Sequence, residues 1–117
     1  SPDYFSLSWR QGLLFLLKFQ PPAQQPMLIT LGSLTNLKSE TIILDPNKLN
    51  TNGTTAIDWY VPSPDGKLVA VSLSENGSEE GTLHIYEAAT GREQLDVLQR
   101  LESKMGGGLP AATSDNR

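Results

Sequence analysis

With 117 residues, 38% hydrophobic and 19% charged, the chain has the composition of one small globular domain and is too apolar for a disordered segment. A net charge of −4, with nine Lys and Arg scattered along the sequence, argues against a nucleic-acid partner, whose backbone wants clustered cations. The absence of cysteine excludes disulfides, thiolate metal sites and a cysteine nucleophile.

The first apolar run is Leu13 to Phe19. Its core, Leu13 to Leu17, is far too short to cross a bilayer, so no membrane partner is expected. Pro21-Pro22 ends it by removing two backbone donors. Met27 to Leu31 and Thr41 to Leu44 follow, separated by a polar turn at Thr35-Asn36. The three runs predict an antiparallel meander. After an Asn- and Thr-rich loop from Asp45 to Thr55, the pattern restarts with Ile57 to Val61. Ser63-Pro64-Asp65-Gly66 is a strong turn, since Pro presets the first corner and Asp-Gly accepts the unusual φ that follows. Leu68 to Leu73 reads as a strand buried on both faces, and Thr82 to Tyr86 as the strand after it. Arg92 to Leu101 is ambiguous, because Leu95, Leu98 and Leu101 recur at helical spacing. A short outer strand is favoured there, to complete a four-stranded sheet.

A repeat runs through these elements. Gln11-Gly12-Leu13-Leu14-Phe15-Leu16 returns as Asp65-Gly66-Lys67-Leu68-Val69-Ala70, and Ser114 to Arg117 begins a third copy. The interval of roughly 50 residues is that of four-stranded propeller blades. The expected fold is therefore all-β: about two blades of an incomplete β-propeller. Residues 1–50 form one blade, 51–104 the second, and 105–117 a crossover and the start of a third. Blades bury their faces only against neighbours, so the chain is expected to be a piece of a larger ring.

The stretch from Leu44 to Tyr86 resembles the propeller of the prolyl oligopeptidase family. The match is carried by Leu44-Asp45-Pro46-Asn47, Gly53-Thr54-Thr55-Ala56-Ile57-Asp58-Trp59, Pro62 to Ala70, and Ser72 to Glu79. Leu16-Leu17-Lys18 leading to Gln24-Gln25-Pro26 is similar to the family's preceding blade, and weaker similarity continues from Gly91 to Arg100. Departures lie at Leu95, where the family has Pro, and at Ala112, where it has an aromatic residue. The resemblance implies a serine peptidase that cleaves proline-containing oligopeptides, with its Ser, Asp and His in an α/β-hydrolase domain. It implies a cytoplasmic or periplasmic protein, partnered by that hydrolase domain and by neighbouring blades.

No G-x-S-x-G elbow occurs in these residues, so no catalytic residue, cofactor site or metal site is assigned. His84 is the sole histidine; it alternates with Leu83 and Ile85 and reads as a structural or surface residue. Asp65 is expected to cap its own turn, and Asp58 to hydrogen-bond a neighbouring turn. Glu75, Glu79 and Glu80 lack the alternation of a calcium loop and read as a solvated acidic turn. Trp59 and Tyr60 are expected as interblade anchors, one on each face of their sheet, in preference to a peptide groove. Gly106 to Gly108 lacks the following Gly-Lys-Ser/Thr of a phosphate loop and reads as a crossover. Asn52-Gly53-Thr54 and Asn76-Gly77-Ser78 fit the glycosylation sequon, a triplet that polar turns produce by chance. The expected role is a non-catalytic gate over a hydrolase domain; a propeller used as an interaction platform is the alternative. Exposed blade faces and strand edges predict that the chain self-associates.

Overall fold

A computed structural model describes residues 1–33, 35–50 and 52–96. They form two antiparallel sheets. Sheet A contains β1 (Asp3–Arg10), β2 (Leu13–Phe19), β3 (Met27–Leu31) and β4 (Thr41–Leu44) in that order. Sheet B contains β5 (Thr55–Pro62), β6 (Leu68–Glu75) and β7 (Thr82–Glu87).

Turn chemistry fixes where each strand ends. Gln11 and Gly12 take φ of 53° and 80°, the left-handed pair that a two-residue hairpin demands and whose twist matches that of its strands. At the other hairpin, Ser63 donates to the Asp65 carboxylate at 2.6 Å, and Lys67 N–H donates to it at 3.0 Å. Asp65 thus caps its own turn. These bonds, Ser63's first, hold its carboxyl below the ordinary carboxylate range.

The crossover between sheets is riveted by one asparagine. Asp45 caps a short 3-10 turn, Pro46–Lys48, by accepting from Asn47 N–H at 3.0 Å. The Asn47 side chain reaches back across the chain: its Oδ1 accepts from Gln25 N–H at 3.0 Å, and its Nδ2 donates to Gln25 O at 2.9 Å. Gln25 Nε2 in turn donates to Gly53 O at 2.8 Å. Leu44-Asp45-Pro46-Asn47 therefore locks the loop leaving sheet A onto the loop between β2 and β3.

The main core lies between the sheets. Phe15, Leu17, Leu28, Ile43 and Leu44 of sheet A meet Val69, Val71, Leu73 and Tyr86 of sheet B. A second buried cluster, Leu14, Leu16, Ile29 and Leu31, occupies the alternate positions of β2 and β3, on the other face of sheet A. β2 is apolar from Leu13 to Leu17, where both of its faces are buried.

Three differences from the sequence expectations stand out. β1 is a full strand ahead of the first expected one. The stretch favoured as an outer strand after Gly91 makes only one bridge, Tyr86 to Glu93, so sheet B has three strands among the described residues. Leu95 and Asp96 are already helical there, and residues 97–101 lie outside the described ones, as do Gly106 to Gly108 and the third turn copy. Finally, the repeat aligns the two hairpin turns but not the strands behind them. Phe15 and Val69 occupy matching places in it, yet both lie in the same inter-sheet core. Blades related by rotation would turn matching residues the same way round, not toward each other.

Candidate functional site

The seam between the sheets is where the residues singled out in the sequence converge. Trp59 and Tyr60 do point to opposite faces. Tyr60 lies opposite Val71 and packs its ring on the inter-sheet core. Its single hydroxyl proton is shared between two acceptors, the carbonyl oxygens of Ser6 on β1 and of Phe15 on β2, the latter at 3.1 Å, with Ser8 Oγ at 3.4 Å. Burial pushes the Tyr60 phenol above its ordinary range, so it remains a donor through neutral and mildly alkaline pH. Trp59, opposite Ser72, stands on the far face and is 48% exposed beside Val61 at 54%.

Two glycines let the backbones close. Gly66 has φ of +75°, and a Cβ there would sit 3.1 Å from Arg10 O. Gly91 has the same φ, and its Cβ would sit 2.8 Å from Ile43 O. Any side chain at Gly91 would push sheets A and B apart while forcing a left-handed φ. At one end of the seam a crevice of about 580 Å³ opens between Leu13, Gly66, Lys67, Leu68 and Ala88. Its lining is aliphatic apart from Asp65, Lys67 and Glu87 and includes no Ser, Thr or His side chain.

His84 does not serve as a free base. Its Nδ1 meets Glu93 Oε2 at 2.7 Å, its Nε2 meets Thr82 Oγ1 at 3.0 Å, and its ring stacks on Tyr86 with centroids 6.2 Å apart. Both nitrogens are occupied by side chains, so it braces β7 against the turn that follows. Tyr86, buried beside Glu93, has its phenol pushed up to about 12, chiefly by desolvation.

Asp58 differs from its expected role: its partners lie on the adjacent strand instead of a turn. A bulge in β5 between Ile57 and Trp59 puts Asp58 on the outer face with Trp59. There its two oxygens accept from Ser74 Oγ at 2.7 Å and Ser72 Oγ at 2.9 Å. Both serines are buried, so the carboxylate satisfies hydroxyls that would otherwise lack partners. Glu75 accepts from Thr55 Oγ1 at 2.5 Å, tying the start of β5 to the end of β6, while Glu79 and Glu80 are exposed. Among the described residues no three His, Asp or Glu side chains converge as a metal site.

Sequence reasoning missed Ser6 and the strand that carries it. The available signal was Gln11-Gly12, a two-residue turn that needs a strand on each side. Gln is a weaker mark there than Asn or Asp.

Stacked antiparallel sheets sharing one apolar seam, with Asp58, Asp65, Glu75 and His84 used for bracing, define a portion of a β-propeller. Residues 3–106 match the family described as prolyl oligopeptidase, N-terminal beta-propeller domain, and the chain belongs to that family. A prolyl endopeptidase of Elizabethkingia meningoseptica is 42% identical over 55 residues, which is 47% of this chain and 8% of that protein. Among solved structures, a prolyl endopeptidase studied for the role of inter-domain dynamics in catalysis and specificity superposes with a TM-score of 0.72. It is 24% identical over 80% of this chain and 14% of its own. The apo form of prolyl oligopeptidase B from Galerina marginata superposes at 0.63, with 20% identity over 84% of this chain and 15% of its own. The likeness to these structures is one of fold. The chain thus spans a small part of each relative's length.

Proposed function

We propose that this chain is a non-catalytic pair of blades from the cap of a prolyl oligopeptidase-type serine peptidase of the cytoplasm or periplasm. The cap gates the access of proline-containing oligopeptides to an α/β-hydrolase domain outside these residues. One observation carries the reading: the family match spans residues 3–106 and is to the N-terminal propeller portion, and the sole histidine is bonded on both nitrogens to side chains of its own sheet region, Glu93 and Thr82. The physical role of such blades is exclusion. A rigid seam passes an extended peptide only where the ring leaves an opening, and the gate contributes no reacting group.

The outer face of sheet B, with Trp59 and Val61 half open, is the counterpart of the face that sheet A lays on the seam. Its occupant in the full-length protein is the neighbouring blade. In the isolated chain a second copy covers it.

The test is an assay of the purified 117-residue chain on a proline-linked chromogenic peptide, with light scattering on the same sample. No turnover and a dimer are expected. Turnover that co-purifies with the chain would overturn the non-catalytic role, and a concentration-independent monomer would overturn the self-association.

A further inference from the structure

β1 is attached differently from every other described strand. Like β4, β5 and β7 it pairs with one strand only, but six of its eight residues are exposed and none of them belongs to either buried cluster. Its ladder to β2 slips between Phe5 and Ser8. At that slip Ser6 adopts φ of 56°, a left-handed conformation that a residue with a Cβ avoids unless its surroundings hold it there. A bulge turns local carbonyls out of the ladder. The Ser6 carbonyl accepts from the Tyr60 phenol, and so does Phe15 O on β2. One hydroxyl of sheet B therefore spans both strands at the point where their ladder is interrupted.

We propose that Tyr60 is a latch and β1 a strap: the phenol holds the bulged strand closed on the seam, and opening that contact releases β1 as a unit while the inter-sheet core stays in place. The left-handed Ser6 is the acceptor half of the device: at the slip its carbonyl accepts from the Tyr60 phenol of sheet B. Tyr60's ring packs on the core independently of its hydroxyl, which makes the two contributions separable. This device belongs to the chain itself and stands whether or not the ring gates a peptidase.

Hydrogen exchange read by mass spectrometry on the full 117-residue chain tests it. Tyr60→Phe keeps the ring and removes the donor. Peptides from residues 3–10 are expected to exchange about fivefold faster, the factor corresponding to one net hydrogen bond, while peptides from 68–75 change less than about twofold. Ser6→Val, which disfavours the left-handed φ, should loosen the same peptides with Tyr60 intact. Ser6→Gly, which accepts that φ freely, should match the parent chain. Unchanged protection of 3–10 in Tyr60→Phe, or an equal rise in 3–10 and 68–75, overturns the latch. Should Tyr60→Phe unfold the whole chain, Ser6→Val decides: loosening confined to 3–10 supports the strap, and global loosening contradicts it.

Discussion

Toward sheet A, sheet B presents Val69, Val71, Leu73 and Tyr86, all buried, with Tyr60 hydrogen-bonded across the seam. Away from sheet A, Trp59 and Val61 of the same β5 strand stand half open, and the buried polar groups nearby, Ser72 and Ser74, are satisfied by Asp58. The inner face is the more apolar along β6, with Val69, Val71 and Leu73 against Ser72 and Ser74 on the outer one, yet adjacent residues of β5 give each face an aromatic. What separates those two aromatics is whether a partner sheet is present. An aromatic residue on a blade acquires its energetic role from its neighbour and not from its own strand.

That contrast can be broken by substitution. Phe15 is fully buried in the seam, so Phe15→Ala removes ring contacts from both sheets and leaves a cavity. A loss of about 3–5 kcal/mol is expected, read from denaturant unfolding. Trp59→Ser on the open face should change stability by only about 0.5 kcal/mol in dilute, monomeric chain. Comparable losses at the two sites would mean that the outer face is already packed.

A smaller effect sharpens the same comparison by pH. Burial raises both seam phenols, and Tyr86 reaches about 12 against an ordinary 10.0. A group whose folded value is raised contributes stability that is fully present below its unfolded value and is lost as pH rises through its folded one. The unfolding midpoint should therefore hold steady up to about pH 10 and fall between pH 10 and 12. Tyr86→Phe should remove most of that fall. A midpoint flat across this window would show that Tyr86 is not desolvated in the seam.

Much of this fold was legible in the sequence because turn chemistry is local. Pro21-Pro22, Ser63-Pro64-Asp65-Gly66 and the β-branched runs between them mark strand ends without reference to anything distant. The opposite facing of Trp59 and Tyr60 follows from strand alternation alone. Other features were hidden because they depend on pairing. The β1 bulge shows only in its register against β2, and Asp58 finds Ser72 and Ser74 only once β5 has slipped by one residue. The repeat misplaced Phe15 against Val69 for a related reason. Its hairpin turns differ in length, Gln11-Gly12 against Ser63 to Lys67, so aligning the glycines shifts the strands behind them. Nothing local records which face a strand will turn to its neighbour.

The central claim is that the two sheets are one unit joined by their seam, and the chain carries one tryptophan in each: Trp9 on β1 and Trp59 on β5. Trp9→Phe leaves Trp59 to report sheet B, and Trp9→Phe with Trp59→Phe and Ile42→Trp, at an exposed position of β4, reports sheet A away from β1. Equilibrium urea unfolding of the two variants, followed by fluorescence in dilute solution, tests the claim most directly. Coincident midpoints and slopes are the expected result, since the inter-sheet core is lost from both sheets at once. Two separated transitions would show that the sheets are stable without each other and that the seam does not unite them.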